Sequence, residues 1–276
     1  MGDPRASLEA LWRKEGVSGV AALRDGRVAA FVLAQVGDRR HFGQSAWVLH
    51  AGHAAEEGEL LRDVYAAAAQ GWVEADVERH YVLVPAFDEA LAPWYRLGFA
   101  HMHVEALRPG GGFTAATPAG VTIRPGTRAD LEIAEEIDLE IFRIQERSPS
   151  FARLSLDREA RRADWFEIDL KEEGLYYLVA EVGGELVGHT IIFRHEPALG
   201  FPENAATLAS TAVLEGRRGR GIGLAIVAAI LGLAAEAGYE HVVTNWRMTN
   251  LAASRFWPAR GFRPIYHRLY RTVGAD

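Results

Sequence analysis

The pattern Ala90-x3-Trp94-x3-Gly98-Phe99 returns as Ala253-x3-Trp257-x3-Gly261-Phe262, and each copy follows an apolar stretch begun by a histidine, His80 or His241. Further upstream, Leu23-Arg-Asp-Gly-Arg-Val28 parallels Val182-Gly-Gly-Glu-Leu186, two hairpin signals whose glycines suit turns that need positive φ. Matched Ala, Trp, Gly and Phe in one order tie the two halves to a common sequence of strands and helices. The chain therefore reads as a tandem duplication of an α/β unit. Its 276 residues, 49 % of them apolar, suffice for two cores of ordinary domain size.

In the first half, apolar runs at 17–23, 28–36 and 45–49 read as strands. A helix is expected over 60–73, where Leu61, Val64, Tyr65, Ala68 and Trp72 recur at 3–4 spacing. His80–Val84 is a buried strand stopped by Pro85, and 89–97 a short helix before a closing strand at 99–107. Glycine, threonine and proline without periodicity then mark 109–120 as a linker between domains 1–108 and 121–276. The second half begins with a strand at 121–125 and a helix from Asp130 to Phe142, capped near Thr127 or Asp130. A charged helix is expected over 157–170, a hairpin around Gly183-Gly184, and a strand at 207–214. After a helix ending at Gly238, a strand (241–245), a short helix (250–257) and the last strands (261–270) complete the domain. The first domain lacks a counterpart to the early strand and helices of the second.

Chemistry is concentrated between Thr211 and Val227. An apolar strand enters Leu-Glu-Gly-Arg-Arg-Gly-Arg-Gly-Ile-Gly, which opens straight into an apolar helix. Arg217, Arg218 and Arg220 bring positive charge. Gly219, Gly221 and Gly223 let the backbone approach a ligand, and the helix start adds unsatisfied N–H groups and the positive end of its dipole. The combination points to a phosphate cradle. A solvated basic loop whose glycines serve strand–helix packing is the alternative. The loop is neither G-x-x-x-x-G-K-[ST] nor G-x-G-x-x-G, which argues against a nucleotide P-loop or a Rossmann site.

Arg218-Gly-Arg-Gly221-Ile-Gly223 resembles the R/Q-x-x-G-x-G/A motif of the GCN5-related N-acetyltransferases, the GNAT superfamily. Asn250-Leu-Ala-Ala-Ser-Arg-Phe-Trp-Pro-Ala-Arg-Gly-Phe262 looks like that family's N-x-x-A-x-x-x-Y-x-x-x-G-F segment. The resemblance covers roughly residues 121–271 and, more weakly, the first half. It implies an α/β fold of two tandem GNAT-like domains, each a mixed, mostly antiparallel twisted sheet flanked by helices. It also implies acetyl-CoA as cosubstrate, its pyrophosphate on Arg218, Gly219, Arg220, Gly221, Ile222 and Gly223. Backbone at Thr211, Ala212 and Val213 would face the pantetheine arm, one N–H serving as oxyanion donor, with Asn250, Ser254 and Trp257 beside the arm.

Two features depart from the family pattern. Trp257 stands where Tyr usually acts as general acid, and an indole N–H does not give up its proton near neutral pH. A thiol with a pKa of about 8.5 can leave without that help. The strand 207–213 carries no carboxylate, so Glu203, Glu140, His189 and His195 are the candidate bases and Ser254 a candidate donor to the sulfur. His50-x2-His53 and His101-x-His103 lack a dependable third ligand, so no metal site is expected. In the first domain, His50-Ala-Gly-His-Ala-Ala-Glu-Glu-Gly58 replaces the cradle with acidic charge. One acetyl-CoA site per chain is expected, the first domain being left for packing, acceptor-site walls or homodimerisation.

A net charge of −7 argues against nucleic-acid binding, and the absence of cysteine excludes disulfides and thiolate chemistry. A polar N-terminus and the lack of an apolar run near about 18 residues predict a cytoplasmic protein without membrane contact. The reading reached is an N-acetyltransferase acting on a small-molecule or peptide primary amine in a ternary complex. The alternative is a CoA-binding or structural protein whose catalysis has decayed.

Overall fold

The computed structural model describes residues 2–39, 42–152, 165 and 167–274. Contacts divide the chain into two compact units, one formed by residues up to Glu105 with Pro197–Glu203 and everything from Pro264, the other by Ala106–Glu196 and Asn204–Arg263. In chain order the elements begin with α1 (Pro4–Trp12), β1 (Val17–Arg24), β2 (Arg27–Arg39), β3 (Gly43–Val48) and β4 (His53–Ala55). There follow α2 (Gly58–Glu74), β5 (Arg79–Pro85), α3 (Asp88–Arg96) and β6 (Ala100–Pro109), within which the division falls. Next come β7 (Val121–Pro125), α4 (Leu131–Glu146), β8 (Tyr176–Val182), β9 (Glu185–Arg194) and β10 (Ala205–Val213). The chain ends with α5 (Ile222–Glu236), β11 (His241–Arg247), α6 (Leu251–Phe256) and β12 (Arg263–Thr272).

In the first unit the strands lie in the order β1-β2-β3-β5-β12, with β4 beside β2. Alternation buries one face of this sheet against α2, whose Leu61, Val64, Tyr65, Ala68 and Trp72 form a single apolar stripe. The sequence reading keeps residues from 264 onward with the second domain. Here β12 instead runs antiparallel to β5, from Tyr266 opposite Pro85 to Thr272 opposite Arg79. Period-two alternation says which face a strand buries but not which strand it lies beside. The sequence reading also passes over α1, because only Leu11 of that helix is buried. Its start is nevertheless well specified: Asp3 accepts from Arg5 N–H at 3.0 Å and Pro4 occupies the first turn.

The repeated pattern is a helix-ending corner, and the two copies have the same geometry. Gly98 (φ 81°) and Gly261 (φ 84°) are left-handed. Gly98 N–H donates to Tyr95 O at 3.0 Å and Phe99 N–H to Trp94 O at 3.2 Å; Gly261 donates to Pro258 O at 3.1 Å and Phe262 to Trp257 O at 3.3 Å. This is a Schellman cap, whose usual apolar contact spans the residue after the glycine and the third from the helix end. That contact is Trp94 on Phe99 (centroids 5.2 Å apart, 82°) and Trp257 on Phe262 (5.3 Å, 82°). The Trp, Gly and Phe of the repeated pattern thus each have a physical job in ending a helix.

In the second unit β7, β8, β9 and β10 are antiparallel neighbours, and β11 joins β10 in parallel. Helix α5 is apolar nearly all round and packs on β8, β9 and β10. On the other face α4 sets Leu131, Ala134 and Ile137 against Tyr177, Val179, Leu186, Ile191 and Ala212. The helix expected over 157–170 lies mostly outside the described residues. Among the described residues, no helix is long and apolar enough to cross a membrane.

A capping box opens the turn before α4, with Thr127 N–H donating to Asp130 Oδ2 at 2.7 Å. Arg124 grips both oxygens of Asp130, each at 2.8 Å. The guanidinium, helped by the Thr127 hydroxyl and N–H, holds the Asp130 carboxyl far below its usual range. The stability this supplies is present above the unfolded value of about 4 and is lost as pH falls through the folded value. Asp130→Asn is expected to lower stability at pH 7 by about 2 kcal/mol and to flatten the decline in acid, both read from urea midpoints between pH 3 and 7.

Candidate functional site

β10 keeps its antiparallel ladder with β9 as far as Val213, but its parallel ladder with β11 covers only Ala205–Thr207 against His241–Val243. Between Leu208 and Ser210 the β9 register shifts, leaving Ala209 as a bulge. Bulges bend a strand and sharpen its twist. Past this one, the β10 edge on the β11 side leaves the ladder, and Thr211, Ala212 and Val213 form a wall of a cavity of about 500 Å³.

The floor of the cavity is the loop into α5. After Val213 the chain takes a 3-10 turn at Glu215–Arg217, and Gly219 (φ 75°) and Gly221 (φ 83°) are both left-handed. Gly221 is the cap residue of α5 and has no side chain to offer, so the first helical N–H groups, at Ile222, Gly223 and Leu224, have no intrahelical acceptor. They point from the positive end of an apolar helix toward the cavity mouth, an arrangement suited to an anion.

The arginines divide their labour. Arg218 donates from Nε to Val213 O at 2.8 Å and from Nη2 to Glu140 Oε2 at 2.8 Å, while Arg143 holds the other oxygen of Glu140. Arg217 pairs with Glu185 at 2.7 Å, and Glu215 on the same turn with Arg147 at 2.6 Å. Among the described residues Arg220 alone of the three has no partner, and it is exposed. Two loop charges are therefore spent on shaping the loop. One is left over for a ligand.

Of the residues singled out from the sequence, Thr211, Ala212, Val213, Arg218, Gly219, Gly221, Ile222, Gly223, Asn250 and Trp257 line this one cavity. Asn250 is also the cap of α6, its side-chain oxygen accepting from Ala253 N–H at 3.2 Å. Ser254 turns its hydroxyl onto Met248 O at 2.8 Å. Glu203 is exposed and belongs to the first unit. Glu140 is nearly buried and carries two arginines, which makes it the anchor of Arg218. His50 bonds to Glu105 at 2.9 Å and His53 to Leu83 O at 3.0 Å. Burial pushes the His53 pKa down to about 4. Among the described residues, no group of three His, Asp or Glu is placed to hold a metal ion.

Sequence reasoning missed the α4 wall, Ile141 and Ile144, and, apart from the candidate base His189, a buried polar cluster next to it. Asp138, one turn before Ile141, accepts the hydroxyl hydrogen of Ser210. His189, fully buried, places Nε2 3.7 Å from the same carboxylate oxygen. Thr190 donates to Ser210 O at 3.0 Å and its hydroxyl lies 2.8 Å from that of Thr211. For Asp138 the sequence signal was a carboxylate set inside the apolar stripe of α4, between Ile137 and Leu139.

Residues 139–262 match the model of the acetyltransferase (GNAT) family. Among solved structures, a GCN5-related N-acetyltransferase from Sphaerobacter thermophilus superposes with a TM-score of 0.66 at 20 % identity, covering 95 % of this chain and 82 % of that one. A tandem GNAT protein from the clavulanic acid biosynthesis pathway gives 0.55 at 19 %, covering 95 % and 85 %. A GCN5-related N-acetyltransferase from Kribbella flavida gives 0.53 at 14 %, covering 99 % and 95 %. At these identities the likeness is one of fold, a mixed and mostly antiparallel sheet flanked by helices. No curated protein matches the sequence.

The two glycines that open α5 are expected to respond differently to a methyl group. Gly221→Ala forces a side chain onto positive φ and sets its Cβ 3.2 Å from Pro118 Cγ, which costs about 1–2 kcal/mol. Gly223→Ala meets Val213 Cγ2 at an ordinary 3.7 Å in helical backbone and is expected to be neutral or stabilising by up to about 1 kcal/mol. Chemical denaturation of the two variants checks the contrast.

Proposed function

We propose that this chain, whose second half is an acetyltransferase (GNAT) domain, moves the acetyl group of acetyl-CoA to a primary amine of a small molecule or peptide. The observation that carries the reading is the junction of two things in one cavity: the uncapped N-terminus of α5 and the β10 edge released beyond Thr207. The pyrophosphate would take the N–H groups of Gly221–Leu224, with Arg220 as the available cation. The pantetheine arm would run along Thr211–Val213 toward Ser210, exchanging the hydrogen bonds of a missing strand. A backbone N–H of that edge is then placed to stabilise charge growing on the thioester oxygen.

Positioning of amine and thioester in one ternary complex supplies much of the rate. Trp257 donates no proton; it is packed on Phe262 as Trp94 is on Phe99. The departing sulfur is therefore served by the amine's own proton or by water. Among the described residues the first unit offers no comparable cradle. At the corresponding place His53–Ala55 is a short strand on β2, and Glu56, Glu57 and Glu59 crowd the start of α2. Those carboxylates suit the helix dipole and repel phosphate.

Trp257 in the place of an acid also favours a second reading, a CoA-binding protein without turnover. Titration calorimetry with acetyl-CoA, followed by thiol release over a panel of primary amines, separates the two. One acetyl-CoA per chain with turnover is expected; one without turnover supports the second reading, and none removes both. Gly223→Glu is expected to weaken acetyl-CoA binding at least about 100-fold with the fold intact, because a carboxylate would stand where the pyrophosphate lies. Unchanged affinity would displace the site from this loop.

A further inference from the structure

A helix of nine residues that buries only one of them gains little from packing, yet α1, with Leu11 alone buried, is carefully capped. Its outer charges are matched among themselves: Arg5 pairs with Glu9 at 3.1 Å and Arg13 with Glu9 at 3.9 Å, each one turn apart. The inner stripe carries Ser7, Ala10 and Leu11 at 3–4 spacing, and Lys14 follows in the turn after the helix. All four line a second cavity, of about 180 Å³, together with Leu49 and His50 after β3 and Ala198 and Leu199. Each of these residues belongs to the first unit. The volume is more than ten times the roughly 10–15 Å³ that one water needs.

Three polar side chains border this cavity, and each has a group to spare. Among the described residues Lys14 pairs with no carboxylate, and the Ser7 hydroxyl has no hydrogen-bond partner. His50 uses Nε2 on Glu105 Oε2 at 2.9 Å, and its Nδ1 has no partner among the described residues. A carboxylate only accepts, so Nε2 carries a proton and Nδ1 of the neutral ring is an acceptor. Tyr266 stands edge-on to that ring at 4.6 Å and Phe201 at 5.3 Å, and the two stack on each other at 5.6 Å. Tyr266 also donates to Leu199 O at 3.1 Å, fastening the wall that carries Ala198 and Leu199. Gly200 (φ 83°) lets this wall close in, since a Cβ there would strike Tyr266 Oη. Glu105, Tyr266 and Phe201 thus brace one imidazole in a mostly apolar recess with a free cation at its rim. Small-molecule sites have that make-up, apolar walls with a few placed polar groups.

We infer that this cavity of the first unit binds a short aliphatic acid with a hydroxyl or amino group on the carbon next to its carboxylate. Lys14 takes the carboxylate. The neighbouring O–H or N–H donates to His50 Nδ1, and the Ser7 hydroxyl serves either group. The aliphatic chain lies on Leu11, Leu49, Ala198 and Leu199. A single cation, an acceptor nitrogen and apolar walls suit one carboxylate better than a phosphate dianion. Ser7 and Ala10 are small, which leaves the room that the ligand fills. The site is made of first-unit residues alone, so it stands whether or not the second unit transfers acetyl groups.

The test uses the whole chain, saturation-transfer NMR and four probes. These are 2-hydroxy-4-methylpentanoate, L-leucine, 4-methylpentanoate, which lacks the donor, and 2-hydroxy-4-methylpentanamide, which lacks the charge. The hydroxy acid, leucine or both are expected to bind with a Kd at or below about 1 mM, and the tighter of them names the donor. Removing the donor or the charge is expected to weaken binding at least about fivefold. Lys14→Met keeps the apolar stem; it is expected to weaken the acid by a similar factor and to leave the amide unchanged. Arg13→Met removes the same charge from the outer face and is expected to stay within about twofold of wild type. Ala10→Leu retains a good helix former and is expected to abolish binding by filling the recess. Positions 10 and 14 are exposed, so both variants are expected to keep the fold, which denaturation midpoints check. No binding of either acid up to about 10 mM would overturn the assignment. So would equal affinity for acid and amide, equal affinity with and without the donor, equal losses in Lys14→Met and Arg13→Met, or full binding by Ala10→Leu.

Discussion

The loss of one ladder shapes the second unit. β10 holds its antiparallel neighbour to Val213 but its parallel neighbour only to Thr207, with the Ala209 bulge marking the change. A strand edge leaving its ladder inside a protein exposes N–H and C=O groups that need other partners. The surroundings limit how that need is met. α5 covers one face of the strand, α4 the other, and the loop from Val213 to Ile222 closes the end. What is left is a groove open to an extended ligand with its own amides. The apolar character of α5 follows from the same arrangement, since it must pack on three strands while keeping its N-terminus at the groove.

Charge in this region does more structural than ligand-binding work. Arg218 reaches from the loop to the last carbonyl of β10 and on to Glu140 of α4, so a single side chain joins strand end, loop and helix. Burying Glu140 without such partners would carry a large desolvation cost, and two guanidinium groups offset it. Arg217 and Arg147 tie the turn at two further points. A basic loop in a sequence invites the reading that every arginine meets a phosphate. Here Arg217 and Arg218 are taken up in holding the backbone, and it is the uncapped N–H groups of α5 that are left facing the cavity.

The Schellman corners explain why the repeat is so well preserved within the chain while the cradle is not. Ending a helix against a strand needs left-handed glycine, a following apolar residue and an aromatic partner one turn earlier, in both units alike. Nothing in that requirement concerns a ligand. The cradle, by contrast, needs uncapped N–H groups and an absence of acidic side chains, a condition the first unit breaks with Glu56, Glu57 and Glu59. Trp257 belongs to the first category as much as to the second. It lines the cavity, yet its packing on Phe262 is the packing of Trp94 on Phe99.

Local features were legible from the residues themselves. The hairpins, the capping box at Thr127 and Asp130, the stripe of α2, the glycine closing α5 and the duplicated corner all depend on groups within a few positions of one another, where spacing is geometry. The cradle was legible for the same reason: its glycines, cap and helix start are contiguous. Asp138 and Ser210 were not, nor was the meeting of both with His189, a candidate base from the sequence, because the three come from elements up to 72 residues apart and meet only when α4 crosses the face of β9 and β10. The place of β12 beside β5 and the capture of Arg218 by Glu140, 78 residues away, were beyond reach on the same ground. Sequence periodicity determined which faces are buried, and contiguous glycines determined where α5 begins with uncapped N–H groups. Only the tertiary structure decided which buried polar groups share a face, because strand pairing and helix crossing are chosen by the packing of whole elements.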